Sequence, residues 1–592
     1  MTSPPVVARK TRASYSKVVA RSGQRFGRKS NARTLDESPG DDSTEMTPAT
    51  RICVSLVETL CFAVSSTAGQ SVTVPEGGIN VTDSDLLASP PGANWLSYNG
   101  DYSGRRYSSL DQINVANVGR LRAQWVFHSD NSQTLEVTPL VINGVMYVTS
   151  GNNGFALDAR TGRILWQRKR PLTRGLIEDA SQHHNRGMAV WHDRVYMETD
   201  DAHLLSMDAR SGGLIWDVAF GNIKENPANG ATSAPLVVNG KVIVAPSGGD
   251  AGVRGHIDAF DVISGKLVWR VWTVPGPGEP GYSSWPKSSY KHGGGTAWMP
   301  GTYDPETKTL YWGTGNPGPD FEGSARPGDD LYTDCVLAID PDTGKLKWYF
   351  QFTPHDLFDY DAVETPVVVD GTFYGEPRKL LIQADRNGFL YILDRTNGRF
   401  LAATPFLEKL TWAKGVDPNG RPIPTGLIPI AHGVEICPGL EGATNWYAPS
   451  YNPTTGFFYF LALERCNIYY AHPGAFEKGK SYYNTGTVRV PGEKGEKILL
   501  AYKVNDGTIA WRYPQIGDAN SWAGTMTTAG GLVFFGDDAG MLEAVDAGSG
   551  TPLWHFNTGQ QIHASPMIYA VGGVEYVAIA AGSDIFTFAL GD

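Results

Sequence analysis

The sequence predicts an all-β fold, and within that class an eight-bladed β-propeller with tryptophan-containing blade repeats. Three observations support this prediction: one short pattern returns along the chain, strand-like segments flank its copies, and no helical stretch of note competes with them. Units of about 40–50 residues built from short strands are typical of propeller blades, because each blade is one small antiparallel sheet.

The repeat has the form Ala-x-Asp-x-x-Thr/Ser-Gly-x-x-x-Trp, and a full copy covers residues 156–166. The aspartate opens a turn through side-chain hydrogen bonds to the backbone, and the glycine takes the positive-φ position. The tryptophan supplies a large apolar surface that packs one unit against the next. Further copies, including a shortened one without its tryptophan, cover residues 206–216, 259–269, 338–348, 393–401, 501–511 and 544–554.

A second motif helps to count the blades. It reads Pro-Leu-Val-x-x-Gly, or a related form, and predicts a strand, a tight turn and a strand at residues 139–147, 235–243 and 366–373. The gap from 401 to 511 holds one further unit around residues 451–459, which brings the total to about eight. To close the ring, we expect residues 575–580 to pair with strands near Trp95, which would hide open sheet edges.

Charge and hydropathy argue against two classes of partner. The net charge of −11 argues against nucleic acid, which is bound by positive surfaces. After the N-terminal region, no apolar run reaches the roughly 18 residues needed to cross a membrane, so we expect a soluble mature protein.

The first 70 residues differ from the rest. Residues 1–34 are rich in arginine, lysine and serine, and residues 46–68 combine a start-like methionine, an arginine, a mostly apolar run and a small-residue cleavage pattern. That second layout is typical of a secretory signal peptide, and the alternative is an uncleaved disordered tail. We therefore predict a disordered or targeting segment over 1–70, a propeller over 71–592, and a periplasmic or secreted protein.

The loop 353–361 is the densest polar stretch between predicted strands. It places His355, Asp356, Asp359 and Asp361 within seven residues. In an extended segment the last two carboxylates point to the same side. Two such carboxylates are costly unless a cation neutralises them or one of them holds a proton. The loop therefore indicates a metal ligand, a general base or both, and the alternative is a solvated acidic loop.

Eight short segments then resemble one known family, and they occur in that family's order. They cover residues 95–108, 110–114, 185–187, 248–255, 293–298, 313–318, 353–360 and 385–388. They resemble the dehydrogenases for alcohols, including methanol, that depend on pyrroloquinoline quinone (PQQ), of the soluble type without a haem domain. The resemblance runs from residue 92 to 592 and implies an eight-bladed propeller, in agreement with the repeats.

The resemblance also implies a role for individual residues. The quinone-binding positions are matched by Glu136, Arg186, Thr232, Ser247, Gly248, Gly249, Thr296, Trp298, Arg386, Asn445 and Trp522. The metal ligands are matched by Asp250, Asn316 and Asp359, with Asp361 as a further candidate. Asp359 also matches the catalytic base, Arg386 the cation beside the reactive carbonyl, and Trp298 the indole on which the quinone stacks.

The chain departs from the family above the quinone. Many members have two adjacent cysteines there, whereas this chain has Ala180 and Ser181, so the vicinal disulfide cannot form. The neighbouring His183 and His184 are interpreted as surface-loop residues.

The implied metal site departs as well. Asp250 stands where the family usually has the longer glutamate. Asp361 stands where calcium-type members usually have a small residue, and an aspartate there resembles the lanthanide-dependent branch. A trivalent ion favours more anionic oxygen ligands, so the additional aspartate favours a lanthanide. Ca²⁺ is the second candidate ion.

The cysteines indicate an oxidising compartment. The resemblance implies a structural disulfide between Cys437 and Cys466, as expected outside the cytosol. Cys335 lies in a predicted strand and is expected to be a buried free thiol.

The predicted function is oxidation of a primary alcohol to the aldehyde by hydride transfer to C5 of the quinone. The chain has no Cys-x-x-Cys-His haem motif, so a soluble c-type cytochrome is the expected electron acceptor. A homodimer is left open. The alternatives are a quinoprotein acting on a sugar, polyol or other substrate, and a non-catalytic propeller scaffold.

Overall fold

The computed structural model describes residues 78–129, 134–286, 288–516, 522–537 and 539–591. In these ranges 38 strands dominate, beside two one-turn helices, α1 (Asp83–Leu86) and α2 (Glu178–Ser181). The 3₁₀ turns of the same ranges are Val118–Arg120, Gly249–Ala251, Tyr282–Ser284 and Ser289–His292. The predicted all-β fold is confirmed, whereas the predicted targeting segment 1–70 lies outside the described residues. None of the described helices has the length and apolar character of a membrane span.

The strands form blades, which are sheets of four antiparallel strands. Strands β1 (Tyr107–Ser108) and β2 (Leu121–His128) precede the first blade. Blade 1 contains β3 (Leu140–Ile142), β4 (Val145–Ser150), β5 (Asn153–Asp158) and β6 (Ile164–Arg168). Blade 2 contains β7 (Met188–Trp191), β8 (Arg194–Glu198), β9 (His203–Asp208) and β10 (Leu214–Ala219). Blade 3 contains β11 (Leu236–Val238), β12 (Lys241–Val244), β13 (His256–Asp261) and β14 (Leu267–Trp272). Blade 4 contains β15 (Thr302–Asp304), β16 (Thr309–Gly313), β17 (Cys335–Ile339) and β18 (Leu346–Gln351).

The second half continues this plan with one insertion. Blade 5 contains β19 (Val367–Phe373), β20 (Glu376–Ala384), β21 (Phe389–Asp394) and β22 (Arg399–Pro405), and a separate hairpin follows with β23 (Ala413–Val416) and β24 (Pro422–Pro424). The next strands are β25 (Val434–Ile436), β26 (Ser450–Asn452), β27 (Phe457–Glu464), β28 (Asn467–Ala471), β29 (Thr485–Arg489), β30 (Glu496–Lys503) and β31 (Thr508–Pro514). Of these, β26, β27, β30 and β31 form blade 6, and the other three form an inserted sheet.

The last two blades take in the two early strands. Blade 7 contains β32 (Thr525–Thr528), β33 (Leu532–Gly536), β34 (Met541–Asp546) and β35 (Pro552–Asn557), with β1 added in parallel to β32. Blade 8 contains β36 (Met567–Val571), β37 (Val574–Ala581) and β38 (Asp584–Leu590), with β2 as its fourth strand. Eight sheets of this plan therefore lie in the described residues, one for each unit that the repeats predict.

A contact between tryptophan and glycine joins consecutive blades. Trp166, at the end of blade 1, donates its indole N–H to the carbonyl of Ala209 in blade 2 over 2.9 Å. The same ring covers Gly212, where an added Cβ would lie 2.6 Å from Cε3 of Trp166. Gly212 also has a φ of +68°, so both the turn and the close approach require glycine. The same contact occurs in the pairs Trp125–Gly162, Trp216–Gly265, Trp269–Gly344, Trp348–Gly398 and Trp511–Gly550.

The ring closes through the two ends of the described chain. Strand β2 pairs antiparallel with β38, in a register that places Leu121 opposite Leu590. The expectation that residues 575–580 pair near Trp95 was wrong. Those residues lie in β37, whose two edges are already paired with β36 and β38, so the open edge of β38 receives the closing strand. Trp95 instead forms an isolated bridge with Val141.

Candidate active site

The predicted site residues lie on two kinds of loop. One kind leads into the first strand of a blade and carries Glu136, Arg186, Thr232, Trp298, Asp359, Asn445 and Trp522. The other joins the second and third strands of a blade and carries Asp250, Asn316 and Arg386. In an antiparallel sheet the start of the first strand and the end of the second lie at the same edge. Both kinds of loop therefore place their side chains at the same end of the blades.

These loops surround a cavity of about 840 Å³. The predicted residues that line it are Glu136, Arg186, Thr232, Asp250, Trp298, Asp359, Asp361, Arg386, Asn445 and Trp522. The remaining predicted residues, Ser247, Gly248, Gly249, Thr296 and Asn316, are buried and do not line the cavity. The backbone N–H of Asn316, for example, donates to Oδ1 of Asp361 over 2.6 Å. The structure thus brings the predicted site residues into one neighbourhood.

Three carboxylates meet at the cavity. One oxygen each from Asp250, Asp320 and Asp359 can be chosen so that all lie within 4.8 Å of one another. Asp250 lies in the 3₁₀ turn Gly249–Ala251, and Asp359 lies in the loop between β18 and β19 with a φ of +64°. A left-handed backbone is unusual outside glycine and often marks a functional site. Sequence reasoning missed Asp320, because a single aspartate in a loop of glycine and proline forms no pattern.

The electrostatics of this cluster favour a bound cation. Burial raises the pKa of the Asp359 carboxyl well above its ordinary value, the Arg386 guanidinium opposes this, and the carboxylates of Asp250 and Asp361 add to it. Burial also raises the pKa values of Asp250 and Asp320. A cation between the oxygens would favour the ionised forms. Hard oxygen donors of this kind suit Ca²⁺ or a similar ion, so the residues fit a metal.

Arg386 links this cluster to Asp361. Its Nη1 lies 2.9 Å from Oδ2 of Asp361, and its Nη2 lies 3.5 Å from Oδ2 of Asp359. Burial opposes the charge on Arg386, but the two carboxylates raise its pKa, so the guanidinium stays charged. The indole N–H of Trp298 also donates to Oδ2 of Asp361 over 3.2 Å. Asp361 thus lies beside the three clustered carboxylates, and its role as a metal ligand stays a prediction.

Aromatic and cationic groups also line the cavity. The guanidinium carbon of Arg186 lies 5.1 Å from the ring centre of Trp298 and 4.3 Å from that of Trp446. Arg186 pairs with Glu136 over 2.6 Å and donates to Oγ1 of Thr232 over 2.8 Å. A planar, negatively charged molecule can stack on the indole here and pair with the guanidinium. Trp446 also lines the cavity, and sequence reasoning missed it.

Helix α2 and the residues after it cover part of the cavity. Ser181 and His184 line it, and His184 Nδ1 lies 3.5 Å from Oε1 of Glu136. His183 Nδ1 lies 2.8 Å from Oδ2 of Asp200, and its side chain is 16% exposed. The interpretation of the two histidines as surface residues was therefore wrong, because the loop folds inward over the blade ends. The methyl group of Ala180 is fully buried.

The predicted disulfide is present. Cys437 and Cys466 are bonded, with 4.4 Å between their Cα atoms. The bond anchors the segment that carries Leu440, Glu441 and Asn445 into the cavity lining. Cys335 is buried in β17 and forms no disulfide with the other cysteines that the structure describes, in agreement with the prediction.

Comparison with known proteins agrees with this fold and identifies a family. The sequence profile of the β-propeller domain of the PQQ glucose/ethanol/alcohol dehydrogenases matches residues 95–416 and 503–577. This chain therefore belongs to the PQQ-dependent alcohol dehydrogenase family.

Individual relatives cover most of the chain. The quinoprotein alcohol dehydrogenase PedH of Pseudomonas putida is 36% identical over 551 residues, which are 88% of this chain and 91% of that protein. The structure of quinohemoprotein alcohol dehydrogenase ADHIIG of Pseudomonas putida HK5 is similar with a TM-score of 0.80 and 32% identity, over 86% of this chain and 82% of that one. A europium-containing methanol dehydrogenase is similar with a TM-score of 0.78 and 30% identity, over 85% of this chain and 99% of that one.

Proposed function

We propose that this protein oxidises a primary alcohol to the aldehyde, with PQQ and one metal ion in the cavity. The observation that carries the proposal is the position of Asp359. It lines the cavity with Trp298 and Arg386, and it shares a carboxylate cluster suited to a hard cation. Family membership supports an alcohol as the substrate class.

The cofactor and the cavity residues have distinct tasks in this proposal. When bound, PQQ would supply the two-electron acceptor, with its C5 as the position for a hydride from the carbinol carbon. The Asp359 carboxylate accepts the hydroxyl proton of the alcohol. Arg386, kept charged by its carboxylate neighbours, stabilises negative charge that develops beside it. Trp298 provides the flat surface that orients the ring system, and Arg186 pairs with carboxylate groups.

The metal is proposed to be a lanthanide, with Ca²⁺ as the second candidate. Asp250, Asn316 and Asp359 would hold it, and Asp361 would join them. The number of carboxylates at this end of the cavity supports a trivalent ion, because each anionic oxygen stabilises a higher charge more strongly. The europium in the similar methanol dehydrogenase structure supports this choice.

The compartment and the electron acceptor are further parts of the proposal. The disulfide Cys437–Cys466 supports a periplasmic or secreted protein. A soluble c-type cytochrome would then receive the electrons, and the net charge of −11 favours a basic surface on that partner.

The test is dye-linked oxidation of ethanol by purified protein reconstituted with PQQ, once with Ca²⁺ and once with La³⁺. We expect activity with La³⁺. Activity with Ca²⁺ alone would overturn the choice of ion, and inactivity with both despite bound PQQ would point to a sugar, polyol or other substrate. Failure to bind PQQ would overturn the site and favour the non-catalytic scaffold.

A further inference from the structure

Asp320 is a buried carboxylate that accepts no hydrogen bond from the described part of the chain. It lies in the loop between β16 and β17, its side chain is fully buried, and neither carboxylate oxygen has a partner among the described residues. Buried charged groups are normally paired with another charge or coordinate a metal. A group near Asp320 is therefore expected to compensate the charge of its carboxylate.

Two other carboxylates face Asp320. One of its oxygens lies within 4.8 Å of an oxygen of Asp250 and of an oxygen of Asp359, and those two lie as close to each other. Oxygens that share one Ca²⁺ or a similar ion stand about 2.3–2.6 Å from it, so any two of them lie at most roughly 5 Å apart. The spacing of the three oxygens is therefore compatible with one ion shared between them.

The fold holds Asp320 and Asp359 in fixed relation through Arg326. This fully buried guanidinium donates to the backbone carbonyls of Asp320 over 3.2 Å and of Asp356 over 2.6 Å. It therefore ties the loop of Asp320 to the loop that carries Asp359. Its charge is paired with the carboxylate of Asp330, 2.7 Å away. Arg326 positions the Asp320 carboxylate without donating to it.

We propose that Asp320 is a direct ligand of the metal ion, together with Asp250 and Asp359. This inference rests on the proposed function, since that function places a metal in the cavity. The site then has one more anionic ligand than the sequence resemblance implies, and this raises its preference for a trivalent ion. The competing arrangement is a carboxylic acid that shares a proton with Asp250 or Asp359 and does not contact the metal.

The test is metal binding by Asp320→Asn, which removes the charge and keeps the shape. La³⁺ and Ca²⁺ are titrated separately into the full chain loaded with PQQ, and the dissociation constants are measured by calorimetry. We expect the affinity for La³⁺ to fall by at least about tenfold, since even indirect partners of a metal change its affinity by that factor. The affinity for Ca²⁺ should fall by a smaller factor, because the lost charge attracts a divalent ion less.

Asp334→Asn is the matched control. Asp334 is also fully buried, and its two carboxylate oxygens also lack partners among the described residues, but it does not belong to the cluster of three. Its replacement should change both metal affinities much less than Asp320→Asn does. Circular dichroism compares the folding of the variants, and Asp320→Ser serves if Asp320→Asn does not fold.

The outcomes separate this inference from the proposed function. If the wild type binds metal and oxidises alcohol, but Asp320→Asn binds both ions as tightly, Asp320 is not a ligand and the function stands. If the wild type binds metal without oxidising alcohol, weaker binding by Asp320→Asn still supports the ligand and overturns the function. If the wild type binds neither ion, both proposals fail.

Discussion

Arg386 and Asp361 form a buried ion pair, with 2.9 Å between Nη1 and Oδ2. The same carboxylate accepts hydrogen bonds from the indole of Trp298 and from the backbone N–H of Asn316. Asp361 therefore joins the proposed catalytic cation, the proposed stacking surface and a loop of the proposed metal site. Changing Asp361 is expected to affect all three, which makes it the most informative single position in the cavity.

Replacing Asp361 with alanine is expected to lower the affinity for La³⁺ more than the affinity for Ca²⁺. A nearby negative charge stabilises a trivalent ion more than a divalent one. Titration of each ion into the PQQ-loaded variant measures this, with Asp361→Asn as the variant that keeps the hydrogen-bond acceptor. Equal losses for the two ions would show that Asp361 does not determine the choice of metal.

Asp359→Asn should lower kcat by roughly 10²–10⁴-fold, the contribution typical of a positioned general base. Because Asp359 is also a proposed metal ligand, the variant's PQQ content, measured by absorbance, and its metal content together show whether the loss comes from chemistry or from an incomplete site. His355→Gln is the control, because His355 lies in the same loop without lining the cavity. Asp359→Asn with wild-type kcat and full PQQ content would exclude Asp359 as the base.

Trp298→Ala should weaken PQQ binding by at least roughly two- to twelvefold, because stacking on an aromatic ring adds roughly 0.5–1.5 kcal/mol beyond the buried area. Trp348→Ala is the matched control. That tryptophan packs on Gly398 between blades, so its loss should lower the melting temperature without changing PQQ affinity. Fluorescence titration and thermal unfolding of both variants separate the two roles. If Trp348→Ala weakened PQQ binding and Trp298→Ala only lowered the melting temperature, the two tryptophans would have the opposite roles.

Removal of the disulfide by Cys437→Ser with Cys466→Ser should cost about 3–4 kcal/mol of unfolding free energy. The bond spans 29 residues, and a loop of that length restricts the unfolded chain by about this amount. Urea unfolding under oxidising conditions measures the difference. Cys335→Ser, which replaces a buried thiol that is not part of this disulfide, should cost less. If both variants lost the same free energy of unfolding, the disulfide would contribute no more stability than a buried thiol does through packing.

Glu198 should make stability depend on pH. Burial raises its pKa from 4.5 to about 8, so the folded protein keeps a proton that the unfolded chain releases. Stability therefore falls as pH rises between these values. In Glu198→Gln this part of the slope is absent, and from pH 5.5 to 8 the variant should gain roughly 2–3 kcal/mol relative to wild type. Urea unfolding of both proteins at the two pH values tests this. The same change in the free energy of unfolding for wild type and variant would contradict the prediction.

Much of the fold could be predicted because it rests on local, repeated chemistry. The contact between Trp166 and Gly212 is one case of a pattern that recurs from blade to blade, and a repeated contact leaves a repeated sequence. The positions of Asp359, Arg386 and Trp298 could be predicted for a similar reason, because each lies in a recognisable segment.

Other features depended on residues that are distant in the sequence. The pairing of β2 with β38 depends on which sheet edge is left open after the blades form, and no single strand carries that information. His184 lines the cavity because its loop folds inward, although its neighbours are polar. Asp320 is 70 residues from Asp250 and 39 from Asp359, and only the ring brings their carboxylates together. The sequence alone determined the repeating blade and the chemistry of its marked loops, whereas the tertiary structure decided which distant charges share one site, because that depends on the closure of the ring.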